Sequence, residues 1–223
     1  MKTLAIVASM LGLASAHMEM SNPPPFRSRY NPHTTNIDYD LVNPLAADGS
    51  NYPCKGYHTS FNTPQGASVA TWQPGSQQTL SIVGSATHNG GSCQASLSYD
   101  GGASWKVIKS WIGNCPLKKD WPFTVPSDTP SGEALFAWSW HNNIGNREMY
   151  MNCAHVTIGG NNGGSLSGRP DIFVANVGSK VNNCRTVEGS DVLYPNPGPD
   201  VENTSSRTAP PTCGGKMARG LRV

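Results

Sequence analysis

The chain has 223 residues and a formal net charge of +2, a balance that gives neither nucleic acid nor an anionic membrane surface an electrostatic reason to bind. Charged residues are only 13% of it, against 24 glycines and 18 prolines, a composition that suits a turn-rich all-β protein and argues against a helical one. The length admits one domain with a real hydrophobic core.

Taken in chain order, residues 1–16 read as a secretory signal peptide. Lys2 supplies the positive start, Leu4 to Ala14 is an apolar run too short to span a bilayer, and Ala14-Ser15-Ala16 offers small residues for cleavage before His17. Met217 to Val223 carries two arginines and no hydrophobic tail, so no lipid anchor is expected there. The expectation is a secreted, extracellular monomer with a single domain over 17–223, made of a core (17–160) and a C-terminal extension (161–223).

Residues 17–66 show little periodicity and are punctuated by Pro23-Pro24-Pro25, Asn31-Pro32, Asn43-Pro44 and Tyr52-Pro53. They read as long surface loops. Strand signals begin near Trp72. Thr79 to Val83 alternates and stops at Gly84, and Gln94 to Tyr99 alternates up to the hairpin turn Asp100-Gly101-Gly102. Trp105 to Trp111, Trp121 to Val125, Glu133 to Trp140 and Met149 to Ile158 continue the series. Many short strands and almost no helical spacing predict an all-β fold, a β-sandwich. Gly159 to Gly164 has linker composition, Asp171 to Val177 reads as a further strand, and Pro195 to Pro199 and Ala209 to Pro211 as irregular chain. Asn203-Thr204-Ser205 is an N-glycosylation sequon and is expected on a surface loop.

The six cysteines form no CxxC pair, which disfavours a zinc ribbon or redox motif, and an even count in a secreted chain implies disulfides. Of the fifteen possible connectivities, the expected one has Cys93–Cys115 as a local staple and Cys184–Cys213 closing the tail. Cys54–Cys153 is left to tie an early loop to a late strand.

Cleavage before His17 has a chemical consequence. A first-position histidine offers its α-amine and its ring Nδ1 to one metal ion, closing a chelate. The α-amine pKa of about 8 lets a metal displace its proton near neutrality. One further imidazole would make three nitrogens in a T, an arrangement that suits Cu(II) and, after reduction, Cu(I) with a position open. Five other histidines are available. His33 and His58 sit in Pro-rich loops, His141 follows Trp140, His155 lies in the last core strand, and His88 stands in Gly84-Ser85-Ala86-Thr87-His88-Asn89-Gly90-Gly91. That stretch leaves a strand for a glycine-rich turn, which recommends His88 without deciding for it. There is no GxSxG elbow, no HExxH, and no obvious carboxylate pair among the 14 acidic residues, so hydrolase chemistry has little support.

The segments His17-Met18-Glu19-Met20-Ser21-Asn22-Pro23-Pro24-Pro25, Pro44 to Lys55, Gly84 to Gln94, Ile144-Gly145-Asn146-Arg147-Glu148-Met149-Tyr150-Met151-Asn152-Cys153 and Arg169 to Asn176 resemble the fungal lytic polysaccharide monooxygenases of auxiliary activity family 11. The resemblance runs from residue 17 to about residue 200. It implies an immunoglobulin-like or fibronectin-like β-sandwich with long loops, its C-terminal extension closed by a disulfide, and one copper ion held by His17 and His88. It further implies Tyr150 as axial ligand, Glu148 as an acid beside the metal, and Ala86 as a small residue near the open axial position. Strand alternation independently puts Glu148 and Tyr150 on one side and Met149, Met151 and Cys153 on the other. The implied reaction oxidatively cleaves the glycosidic bonds of chitin or chito-oligosaccharides, using O2 or H2O2 and an external electron donor. His141 and His155 depart from the family pattern and read as surface or packing residues. No second chitin-binding module is expected after the core, and affinity would then rest on the copper face. Two other readings stay open: a secreted copper-binding protein without oxidase activity, and a non-catalytic carbohydrate-binding sandwich.

Overall fold

The computed structural model describes residues 17–160, 163–214 and 216–217. The signal peptide expected at residues 1–16 lies outside these residues. Eight strands build the body: β1 (Met18–Asn22), β2 (Ala70–Trp72), β3 (Gln77–Gly84), β4 (Gly91–Ser98), β5 (Lys106–Ile112), β6 (Asp120–Thr124), β7 (Gly132–Asn142) and β8 (Met149–Ile158). Six short strands follow: β9 (Cys184–Arg185), β10 (Asp191–Val192), β11 (Val201–Asn203), β12 (Thr208–Ala209), β13 (Thr212–Cys213) and β14 (Lys216–Met217). A three-stranded sheet of order β1-β3-β6 faces a six-stranded sheet of order β11-β5-β4-β7-β8-β2.

Period-two alternation makes this a sandwich. In β6 only Trp121 and Phe123 are buried, with Asp120, Pro122 and Thr124 exposed. Across the gap the Trp121 ring meets Trp111 of β5 at 5.9 Å, and Phe123 stacks on Phe136 of β7 at 5.5 Å and meets Trp72 of β2 at 5.6 Å. Met18, Met20, Leu80, Ile82, Ala95, Leu97, Trp138 and Trp140 complete this core. The opposite face of the large sheet is covered by loops, with Leu135, Ala137, Met149 and Met151 packed against Phe26, Leu45, Val174 and Val177. Burial on both faces explains why β4, β7 and β8 are apolar or fully enclosed over almost their whole length.

Three disulfides join Cys54 to Cys153, Cys93 to Cys115 and Cys184 to Cys213. These are the pairs expected from the sequence.

The sequence reading needs correction in four places. Residues 17–66 are not loop throughout: Met18–Asn22 is a strand, antiparallel to β3 with Met18 opposite Gly84 and Met20 opposite Ile82. Its five residues end at the proline run, too few for alternation to register, and Glu19 is buried where an exposed residue would be read. Short 3-10 turns at Cys54–Ser60 and Pro64–Gly66 add further structure to that region. Asp171 to Val177 is not a strand. Asp171 makes one isolated bridge to Lys106, and the segment then bonds to scattered partners, Phe173 N–H to Gln94 Oε1 and Asn176 N–H to the Cys184 carbonyl. The free edge of β5 is taken instead by β11, in parallel, Val201 opposite Ser110. Asn203 consequently sits on an exposed edge strand rather than in a loop. The irregular reading of Ala209 to Pro211 also gives way in part, since Thr208–Ala209 pairs in parallel with Asp191–Val192.

Candidate metal centre

The centre forms where three parts of the chain meet: the residue before β1, the β3–β4 loop and the start of β8. His17 is placed by β1. Its carbonyl accepts the Ser85 amide at 3.3 Å, and Met18 lies opposite Gly84. Gly84 has φ +144, and a Cβ there would come within 2.1 Å of the His17 carbonyl oxygen. The strand end can lie this close to His17 only because residue 84 is glycine.

His88 lies in the turn joining β3 to β4. Its φ of +47 and that of Asn89 at +57 are left-handed, a conformation costing non-glycine residues on the order of 1 kcal/mol. Neighbouring hydrogen bonds hold it: Gly90 N–H to the Thr87 carbonyl at 2.8 Å, Ile144 N–H to the His88 carbonyl at 3.0 Å and Asn143 N–H to the Gly90 carbonyl at 3.0 Å. Ring atom Nδ1 lies 3.0 Å from the Ile144 carbonyl oxygen. A carbonyl only accepts, so Nδ1 carries a proton, and in the neutral ring that tautomer leaves the lone pair on Nε2.

Nε2 of His88 is 3.3 Å from the Tyr150 hydroxyl and 3.8 Å from Glu148 Oε2. The hydroxyl donates to Glu148 Oε2 at 2.9 Å. Burial, then the neighbouring Glu148 carboxylate, pushes the Tyr150 hydroxyl far above the usual phenol range, so it stays protonated. One ligating atom each from His17, His88 and Glu148 falls within a 4.8 Å span. The His17 ring centroid is 6.0 Å from that of His88 and 6.1 Å from that of Tyr150. Ala86 stands half-buried on the same loop, two residues before His88. All these donors are nitrogen or oxygen, a set that fits a tetragonal copper ion.

The chain is 54% identical over 187 residues to an AA11 family lytic polysaccharide monooxygenase A of Aspergillus fumigatus, covering 82% of this chain and 83% of that protein. The chain belongs to the AA11 lytic polysaccharide monooxygenases. A second Aspergillus fumigatus AA11 protein is 37% identical and one from Aspergillus oryzae 38% identical, each match covering 90% of this chain but only 53% and 52% of the relative. No protein-family model matches the chain. Among solved structures, a cellulose-active polysaccharide monooxygenase from M. thermophila superposes with a TM-score of 0.46 at 18% identity, over 71% of this chain and 84% of that one. A chitin binding domain from Burkholderia pseudomallei gives 0.47 at 12% identity, over 64% and 99%. As a member of its family, this AA11 enzyme is a copper-dependent oxidoreductase acting on polysaccharide.

The structure brings His17, His88, Glu148 and Tyr150 of this AA11 enzyme together, and it keeps the other histidines apart from them. His155 is buried, its Nδ1 2.7 Å from the Gly66 carbonyl and its Nε2 in contact with Glu133. His141 is 1% exposed, and its ring packs on Phe173 and Tyr194 with centroids at 5.2 and 6.0 Å. Both are packing residues.

Sequence reasoning missed three contributors. Trp140 packs 5.7 Å from the His88 ring and 4.4 Å from Tyr150, backing the site with a rigid apolar wall. The alternation of Phe136, Trp138 and Trp140 was the available signal. The Ile144 carbonyl, as a backbone group, leaves no mark in a sequence. Glu19 is the third: buried two residues beyond His17, it accepts from Arg29 at 2.9 Å. Burial raises its carboxyl pKa against the lowering by Arg29. Arg29 in turn lies near the exposed rings of Tyr30 and Tyr39, at 5.8 and 5.9 Å.

Proposed function

We propose that this enzyme is secreted, is cleaved before His17, and oxidatively breaks glycosidic bonds of chitin or chito-oligosaccharides with O2 or H2O2 and an external electron donor. In this reading the freed α-amine and ring Nδ1 of His17 and Nε2 of His88 would hold one copper ion, with Tyr150 as a further ligand. The convergence of His17, His88 and Glu148 ligating atoms within 4.8 Å carries the reading. The motif resemblance supports chitin as the substrate class, and three disulfides suit an extracellular protein. Among the described residues, no helix is long and apolar enough to cross a membrane.

Bound copper supplies one-electron redox chemistry for attack on an unactivated C–H bond. The chain supplies geometry. The Ile144 carbonyl fixes the tautomer and orientation of His88. Tyr150, kept protonated, would offer the metal a neutral oxygen. Its proton is held by Glu148 Oε2, which places the carboxylate beside the site, able to orient a water or an oxidant by hydrogen bonding. Ala86, a small residue two positions before His88, would add little bulk beside the metal.

The test uses mature protein with His17 verified as residue one, loaded with one copper and given chitin and ascorbate. Oxidised oligosaccharides seen by mass spectrometry only with copper are the expected result. Tight copper binding with no oxidised product from chitin, cellulose or chito-oligosaccharides would favour a metal-handling role. A His88→Ala variant is expected to lose tight copper binding, and sub-micromolar affinity retained there would sink the ligand assignment.

A further inference from the structure

We propose that Arg147 is a positioning residue for His88: its guanidinium curls the loop between β7 and β8 so that the Ile144 carbonyl faces the His88 ring. The proposal rests on the reading of His88 as a metal ligand, and it concerns what holds that ligand ready.

Ile144 is 47% exposed, yet its carbonyl is turned to protein donors. That oxygen accepts a hydrogen bond from His88 Nδ1 at 3.0 Å and another from Asn142 Nδ2 at 3.0 Å. An exposed loop left to itself would turn its carbonyls toward water. Here the guanidinium gathers them. Arg147 Nε and Nη2 donate to the Gly145 carbonyl at 3.1 and 2.9 Å, Nη1 to the Asn142 carbonyl at 2.9 Å and Nη2 to the Asn143 carbonyl at 3.1 Å. Nη1 also reaches Thr186 Oγ1 at 3.3 Å. None of these bonds goes to a carboxylate. A half-buried cation that directs its donors to three carbonyls of one short loop shapes that loop, and a planar fork with five N–H groups suits the task as an ammonium does not.

The C-terminal extension closes the same loop from outside. Gly189 N–H donates to the Asn143 carbonyl at 2.9 Å, Gly145 N–H to Glu188 Oε1 at 3.2 Å, and Asn143 Nδ2 to the buried Asp191 at 2.7 Å. Asn176 Nδ2 joins the Glu148 carbonyl to Thr186 Oγ1 at 3.1 and 3.0 Å. Loop, arginine and extension thus act on the His88 ring through the Ile144 carbonyl, beside the Ile144 N–H that bonds the His88 backbone.

The test compares mature wild type with Arg147→Met, Arg147→Lys and Thr186→Val. Copper-free, 15N-labelled protein is read by long-range proton–nitrogen NMR for the His88 tautomer, and copper affinity is measured by competition titration. Wild type is expected to hold its proton on Nδ1. Arg147→Met should mix the tautomers and weaken copper binding by roughly 10–100-fold, Arg147→Lys should fail to restore either property, and Thr186→Val should shift both in the same direction by less. Wild-type tautomer and affinity within twofold in Arg147→Met would overturn the proposal. If that variant does not fold, the same outcome in Thr186→Val overturns it. Wild type that binds no copper would instead count against the function proposed above, and the tautomer comparison, which needs no metal, would still decide the role of Arg147.

Discussion

Glu148 and Tyr150 show how one strand position sets chemistry. Two residues apart, they face the same way, and the hydroxyl donates to the carboxylate at 2.9 Å. Glu148→Gln keeps the side-chain shape but gives up the charge. We expect copper binding to persist and turnover on chitin to fall on the order of 100-fold, the usual scale for a lost acid–base or hydrogen-bonding group; an unchanged rate would remove Glu148 from the reaction. His141 gives a prediction about stability. Burial first, then the nearby Arg147 charge, holds its pKa down to about 3, against an ordinary 6.5. Between these values the unfolded chain binds a proton that the folded protein refuses. The destabilisation is therefore absent above pH 6.5 and grows as pH falls toward 3. Both ring nitrogens lack a protein hydrogen-bond partner, and Phe173 and Tyr194 already form an aromatic cage. His141→Phe should flatten the acid limb of stability, read by thermal unfolding from pH 7 to 4, and an equally steep limb in the variant would place the acid sensitivity elsewhere.

At the scale of elements, β1 and β3 are decisive because they deliver His17. A Cβ at Gly84 would approach the His17 carbonyl to 2.1 Å and the Met18 Cα to 2.8 Å, atoms of a backbone that cannot swing aside. Gly84→Ala should therefore part the two strands at their end. We expect a loss of about 1–3 kcal/mol in stability and weaker copper binding, measured by denaturant unfolding and competition titration. Full copper affinity in a destabilised Gly84→Ala protein would show that His17 is positioned independently of this pairing. Alternation made β3 through β8 legible in advance, because each has one face on the aromatic core and side chains that record it. It failed for β1, where five residues with Glu19 buried leave no pattern. It misled at Asp171 to Val177, where apolar residues pack on the sheet face without joining a ladder. A β-like composition states that a segment is buried. Which edge is still vacant decides whether it becomes a strand, and β11 had taken that edge of β5.

Across the whole molecule, the disulfides close loops of very different length. Cys54–Cys153 spans 99 positions and Cys93–Cys115 only 22. Loop-closure entropy rises with the logarithm of loop length, so losing the longer bridge should cost about 1.3 kcal/mol more than losing the shorter one. Urea unfolding of the two double Cys→Ala variants measures this, and the reverse order would locate the stabilisation in local packing. Placement of the C-terminal extension is also a whole-molecule matter. It adds β11 to the main sheet, and it supplies Thr186, Glu188 and Asp191 to the loop beside His88.

Sequence alone was enough for the all-β class, for most of the core strands, for the cysteine count that implies disulfides, and for singling out His17 as a histidine that the proposed cleavage would expose. All of these are local or compositional properties, carried by side chains within a few residues of one another. Tertiary structure alone brought His88 to within 3.3 Å of a hydroxyl 62 positions away, turned the Ile144 carbonyl to its ring, and buried Glu19 and His141. Such contacts depend on which strands pair and which edges stay open. That outcome is a competition among distant segments for the same hydrogen bonds and the same apolar face, and no single stretch of chain records its result.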